Sequence, residues 1–148
     1  RRYIGFIFRQ YNLLPALNVY ENIVFPLGLD GRIEDYEYIK QIAGLLGIDD
    51  KLHCYPKALS SGERQKVSIA RALSTKPAVI LADEPTGNLD SREAQEVIGL
   101  LKMTCREFNQ TVVLVTHEKE IADMADQVIF LKDGKIAAME RRQKNYVG

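Results

Sequence analysis

Val79-Ile80-Leu81-Ala82-Asp83-Glu84-Pro85-Thr86-Gly87-Asn88-Leu89-Asp90 begins as an apolar run and stops abruptly at two adjacent carboxylates. A run this short reads as a buried parallel strand, delivering its acids to the carboxyl edge of an α/β sheet where ligands collect. With a strand period of two, Asp83 and Glu84 point to opposite sides, so one carboxylate suits a hard cation and the other faces a water. That division of labour fits phosphoryl transfer.

Working outward, Pro77 breaks the chain just before this strand, and residues 59–73 form a helix that starts Leu59-Ser60-Ser61-Gly62-Glu63. The spacing of Ser60 and Glu63 is that of a capping box, and taken by itself this motif is a device for satisfying free N–H groups. Downstream, residues 91–108 form an amphipathic helix with Ala94, Val97, Ile98, Leu101 and Cys105 at helical spacing. Residues 111–116 read as a second buried strand that runs into His117. A short helix near 118–124 leads to a strand over 127–131, and Asp133-Gly134 turns it back into 135–139.

Toward the start, residues 3–8 are β-rich and apolar, followed by the polar loop Arg9-Gln10-Tyr11-Asn12. Asn18 is placed to cap a helix over 19–25 that yields near Pro26. A further helix over 33–46 puts Tyr36, Ile39, Ile42, Ala43 and Leu46 on one face and ends at Gly47, with a short piece at 49–52. These helices interrupt any βαβ rhythm and read as a helical insertion.

The 148 residues suit one domain or a lobe of a larger one, and 46% hydrophobic content supplies a core. Twenty basic residues balance twenty acidic ones, so no overall field recruits nucleic acid or an anionic membrane. Cys54 and Cys105 have no partner at metal-like spacing and suggest reduced thiols. No apolar run approaches membrane-spanning length, no signal-peptide pattern opens the chain, and the basic tail at Arg141, Arg142 and Lys144 reads as solvated. An opening at Arg1-Arg2-Tyr3, without Met and directly into a strand, reads as the remainder of something longer.

Singly these signals are ordinary; their order is not. From the Ser/Gly helix start, through the strand ending Asp-Glu and the following Leu-Asp, to the strand ending in His, the chain resembles the nucleotide-binding subunit of ABC transporters. Leu59-Ser60-Ser61-Gly62-Glu63 looks like the family signature, Val79 to Glu84 like the Walker B strand, Asn88-Leu89-Asp90 like the D-loop, and Thr116-His117-Glu118 like the switch histidine. Arg9-Gln10 stands where the family has its Q-loop. Tyr11-Asn12-Leu13-Leu14-Pro15 and Pro85-Thr86-Gly87-Asn88-Leu89-Asp90 look most like the branch serving lipoprotein release, macrolide export and peptide-antibiotic export.

The resemblance implies an α/β fold: a partial P-loop NTPase fold of the ABC ATPase kind, a mostly parallel sheet flanked by helices, plus a helical subdomain. Residues 1–148 would be an incomplete ABC ATPase domain, with strand and Q-loop at 1–15, the helical subdomain with its signature at 16–75, and the C-terminal part of the catalytic core at 76–148. ATP and Mg²⁺ are the implied cofactors. Asp83, with Gln10, would hold Mg²⁺; Glu84 would act as general base on the attacking water; His117 would contact the γ-phosphate. Ser60, Ser61, Gly62 and Glu63 would meet the γ-phosphate of nucleotide held mainly by a second ATP-binding subunit, and Asp90 would work across the same homodimer seam. A transmembrane permease is the other implied partner, placing the protein in the cytoplasm, peripheral to the inner face of the membrane. Leu13, Leu14, Tyr20 and Phe25 offer that partner an apolar groove, or else pack the helical lobe itself.

Three departures from the family pattern matter. No Gly-x-x-x-x-Gly-Lys-Ser/Thr occurs, although the family's phosphate loop lies several dozen residues before its Q-loop, so the chain alone is expected to bind ATP poorly and not to hydrolyse it. Phe8 is followed by Arg9 where the family has glutamine, so either the loop shifts by one residue and Gln10 reaches Mg²⁺, or arginine has replaced the glutamine; since a cation cannot ligate a cation, Gln10 is the favoured of the two. Ser61 takes a usual glycine position and Glu63 a usual glutamine one, which firms the helix start and weakens a phosphate contact. Two rival readings remain at this stage: an ABC-type ATPase of DNA repair or chromosome maintenance, disfavoured by the neutral charge and the lack of a coiled-coil or zinc insertion, and a non-catalytic remnant. No nucleic acid partner is expected.

Overall fold

The structure is a computed structural model that describes residues 4–142, so the expected strand start at Tyr3 and the basic Lys144 lie outside the described residues. The chain divides into two compact units, Arg1–Val115 and Thr116–Gly148.

The first unit is built on three parallel strands, β1 (Ile4–Phe8), β2 (Val79–Asp83) and β3 (Thr111–Val115), with β2 in the centre. The register runs Ile4↔Val79↔Thr111 at one end and Phe8↔Asp83↔Val115 at the other. Parallel pairing requires long crossovers, and helices supply them. Between β1 and β2 come α1 (Val19–Leu29), α2 (Tyr36–Leu46) and α3 (Ser61–Ser74), with single turns of 3₁₀ helix at Asp49–Lys51 and Pro56–Ala58; between β2 and β3 comes α4 (Ser91–Glu107). α3 packs on β1 and against α1 and α2, and α4 packs on β3 and against α2 and α3. The core between helices and sheet contains Ile7, Ile39, Ile42, Leu46, Ile69, Leu73, Ile80 and Leu101, all at most 1% exposed. Gly5 permits a close approach of α3 to β1: a Cβ there would stand 2.8 Å from the Ala72 carbonyl oxygen.

Three local expectations are corrected. α1 runs through Pro26 instead of yielding there, because the proline φ is already helical and the burial of Val19, Ile23 and Leu27 holds the turns on either side together. α2 starts at Tyr36 and not at 33; Asp35 caps it by accepting from the Tyr38 N–H at 3.2 Å, leaving Ile33 outside at 95% exposure and Tyr36 half exposed at 52%. β3 is not a buried strand, since Val113 and Val115 are 52% and 56% exposed. Gly47 ends α2 in the left-handed region (φ 72°), as its position after the apolar face implies.

The second unit holds a short helix, α5 (Lys119–Ala122), and an antiparallel hairpin of β4 (Gln127–Lys132) and β5 (Lys135–Arg141). Asp133 and Gly134 both take positive φ, 52° and 76°, the two-residue turn that matches hairpin twist.

Candidate functional site

Parallel strands end together, and here Phe8, Asp83 and Val115 close the carboxyl edge of the first unit's sheet in register. Asp83 is exposed there. Glu84 does not continue the strand alternation: it sits in the left-handed region at φ 44°, so its direction is set by the turn and not by the period of two. Its N–H donates to the Val115 carbonyl at 2.9 Å, which ties this turn to the end of β3. Such a backbone costs about 1–3 kcal/mol in a non-glycine residue and persists only where the surroundings hold it. The turn then closes on itself through Gly87 N–H to Glu84 O (3.1 Å) and Leu89 N–H to Thr86 O (3.0 Å). Asp90 ends it by capping α4, accepting from the Glu93 N–H at 2.8 Å.

The start of α3 has the expected capping box. Ser60 Oγ accepts from the Glu63 N–H at 3.1 Å and Glu63 Oε1 accepts from the Ser60 N–H at 3.4 Å. Because Ser60 uses a lone pair here, its O–H proton stays available to an anion. Ser61 is the first helical residue and half-buried; Gly62 is buried, and a Cβ on it would lie 3.4 Å from Glu93 Oε1. The free N–H groups and the dipole at this helix start favour negative charge, while the Glu63 carboxylate opposes it and stands 4.0 Å from the Lys51 ammonium. A shallow cleft between the starts of α3 and α4 is lined by Ser60, Gly62, Glu63, Lys66, Glu93 and Glu96, with Lys66 and Glu96 paired at 3.0 Å.

The loop after β1 is held by Arg9 and Asn88, and by three groups that the sequence reading did not single out, Arg71, Asn22 and Gln65. Arg9 donates to the Gly87 carbonyl at 3.2 Å and the Asn88 amide donates back to the Arg9 carbonyl at 3.0 Å. Arg9 is therefore committed to the turn behind Glu84, and the neighbouring Gln10 is exposed. Arg71 of α3 donates to the carbonyls of Tyr11 and Asn12, both at 2.7 Å, and burial lowers its pKa from the usual arginine value. Asn22, 1% exposed, accepts from the Leu14 N–H at 2.7 Å and donates to the carbonyls of Leu14, Leu17 and Asn18. Gln65, fully buried in α3, donates to the carbonyls of Phe8 and Pro85. The signal that could have found Gln65 is a polar side chain on a helix face shared with Ile69 and Leu73. Of the apolar residues read as a groove, Leu14 and Phe25 are 37% and 41% exposed, and Leu13 and Tyr20 are half-buried.

The first unit thus brings Asp83, Glu84, Gln10 and Asp90 to the carboxyl end of its sheet, and Gln65 places the second turn of α3 at that same end. His117 belongs to the second unit, exposed, beside Thr116, whose hydroxyl accepts from the Glu118 N–H at 3.0 Å. Among the described residues no three His, Cys, Asp or Glu side chains cluster as a metal cage. A lone exposed carboxylate at a strand end suits Mg²⁺, which keeps several waters and takes one or two carboxylates together with phosphate oxygens.

The chain is similar to known proteins along most of its length. The ABC transporter family model matches residues 1–87. An uncharacterized ABC transporter ATP-binding protein of Thermotoga maritima is 42% identical over 95% of this chain, which spans 61% of that relative. The lipoprotein-releasing system ATP-binding protein of Rickettsia bellii is 43% identical over 90% of this chain and 62% of its own length. Among solved structures, a dimeric ATP-binding cassette in a post-hydrolysis state, bound to ADP and Pi, superposes with a TM-score of 0.76 at 37% identity, covering 95% of this chain and 63% of that one.

Proposed function

We propose, from the premise that this chain belongs to the ABC transporter family, that it carries the carboxylate edge and signature helix of an ATP-hydrolysing subunit that drives a membrane permease. The observation that carries the proposal is the end of β2: Asp83 at the carboxyl edge, with Glu84 turned into the left-handed region and fixed on Val115. Asp83, with Gln10 from the neighbouring loop, would hold Mg²⁺, which when bound neutralises charge on the nucleotide phosphates. Glu84 would orient the attacking water and take its proton, and His117 would donate to the γ-phosphate.

Ser60, Ser61, Gly62 and Glu63 would meet nucleotide held by a second copy of the subunit, the Ser60 O–H and the free N–H groups of α3 supplying the donors. Asp90, which already caps α4, would face the same seam. In this reading residues 1–15 carry the Q-loop, 16–75 the helical subdomain and 76–148 the rest of the catalytic core. Leu14 and Phe25 would be the exposed apolar contacts for the permease, on a loop held by Arg71 and Asn22. Among the described residues no helix is long and apolar enough to cross a membrane, and the proposed attachment to the inner membrane face runs through the permease.

The phosphate loop is absent from these 148 residues, so ATP hydrolysis requires it to be supplied from elsewhere in the subunit. ATP turnover tests this on two samples. The full-length gene product is expected to hydrolyse ATP and the 148-residue chain is not; turnover by the chain alone that disappears in Glu84→Gln would contradict the proposal.

A further inference from the structure

Gln65 lies in the second turn of α3 and is fully buried. Its Nε2 donates to two carbonyls remote in sequence, Phe8 O at the end of β1 (3.3 Å) and Pro85 O in the turn after β2, while its Oε1 is buried with no hydrogen-bond partner. For stability alone this is a poor choice of residue. Leucine or methionine fills similar space without desolvating an amide whose acceptor stays unpaired. The donation to Pro85 falls in a constrained turn: Glu84 holds a positive φ, its own N–H is fixed on Val115 O, and the following carbonyl, that of Pro85, is fixed by Gln65. The residue is clamped on both sides. Arg9 and Asn88 extend the lacing with their reciprocal pair across Gly87, where a Cβ would overlap the Arg9 side chain.

We infer that Gln65 is a positioning residue for Glu84, and that this one side chain couples the helix beginning at Ser60 and Gly62 to the turn that carries the base. The inference deepens the function proposed above and rests on it. If the start of α3 meets nucleotide held by the second copy, a phosphate arriving there is felt at this copy's own Glu84, because α3 is a rigid element and Gln65 follows Ser60 by only five residues. Preorganisation of this kind acts on kcat, since it concerns the aim of a group in the transition state and not the binding of ATP.

Gln65→Leu and Gln65→Met keep the volume and remove both donors, so either can be used if the other fails to fold. On the 148-residue chain, hydrogen exchange at the Gly87 and Leu89 amides should rise about tenfold or more in these variants, while amides of α2 and the carboxyl half of α3 stay within about threefold. In the full-length gene product, well below its unfolding temperature, kcat for ATP should fall about tenfold or more with KM changed less than about twofold. On a Glu84→Ala background Gln65→Leu should cost nothing further. If Gln65 only stabilised the fold, its substitutions would lower Tm and leave kcat per folded subunit unchanged; if it acted on catalysis by a route other than Glu84, its effect on kcat would multiply with that of Glu84→Ala. Unchanged exchange at Gly87 and Leu89, or unchanged kcat in a product that turns over, overturns the inference. A full-length wild type that never turns over overturns the functional reading instead, and the exchange result then decides the coupling of α3 to the turn by itself.

Discussion

On one face of the first unit's sheet, Ile7, Ile80 and Ala82 lie beneath helices at 0%, 0% and 2% exposure; on the other, Ile4, Phe6, Phe8, Val113 and Val115 stand at 44%, 51%, 42%, 52% and 56%. Both faces carry the apolar side chains of a parallel sheet built to be covered twice. Among the described residues of the first unit, only the face under α3 and α4 has its cover. The difference teaches what strand composition encodes. It says that a face is made for burial, and it does not say which part of a protein buries it. Asp83 shares its position across the sheet with Phe8 and Val115 and so belongs to the open side, while the groups that steady the turn behind it, Gln65 above all, come from the covered side.

The contrast between faces makes graded predictions. Ile80→Ala, on the covered face, should cost about 2–5 kcal/mol in denaturant unfolding of the chain, by loss of buried methyl groups and the cavity left behind. The layer behind that face is braced by Tyr38, whose hydroxyl donates to Leu73 O at 3.0 Å and whose ring meets Phe108 edge-on at 5.1 Å. Tyr38→Phe should cost about 1 kcal/mol at neutral pH. Burial, then the neighbouring Cys105 and Asp35, push the Tyr38 pKa from 10.0 up to about 12. Above pH 10.0 the unfolded chain therefore gives up this proton while the folded one keeps it, so stability falls as pH rises from there to about 12. Tyr38→Phe should flatten that part of an alkaline unfolding profile. Phe6→Ser, on the open face, should change stability by no more than about 0.5 kcal/mol and reduce self-association in light scattering. A large loss of stability there would show that the face is covered in solution.

Much of this was legible before any coordinates. The capping box at Ser60, the αL stop at Gly47, the buried stripe of α4 and the hairpin at Asp133-Gly134 are local devices whose residue types act within a few positions of themselves. What stayed hidden depends on distant partners. Pro26 inside α1 is tolerated because of tertiary burial, and Asp35 as a cap was masked by an apolar Ile33 that turned out to be solvated. The carboxylates at the end of β2 could be read from sequence, but the left-handed turn at Glu84 and its clamp by Gln65 and Val115 could not, since the clamp's donors and acceptors lie 20 or more positions apart. Gly5 was equally silent, because its need for a missing side chain arises only when α3 closes on β1.

The division of labour between the two adjacent acids is tested most directly by titrating the full-length gene product with Mg²⁺ while following ATP turnover in Asp83→Asn and Glu84→Gln. Asp83→Asn should raise the half-saturating Mg²⁺ concentration about tenfold or more, as a metal-holding group does when its charge is removed. Glu84→Gln should leave that concentration within about twofold and lower kcat about a hundredfold or more. Equal metal requirements in both variants, or wild-type turnover in Glu84→Gln, would contradict the account.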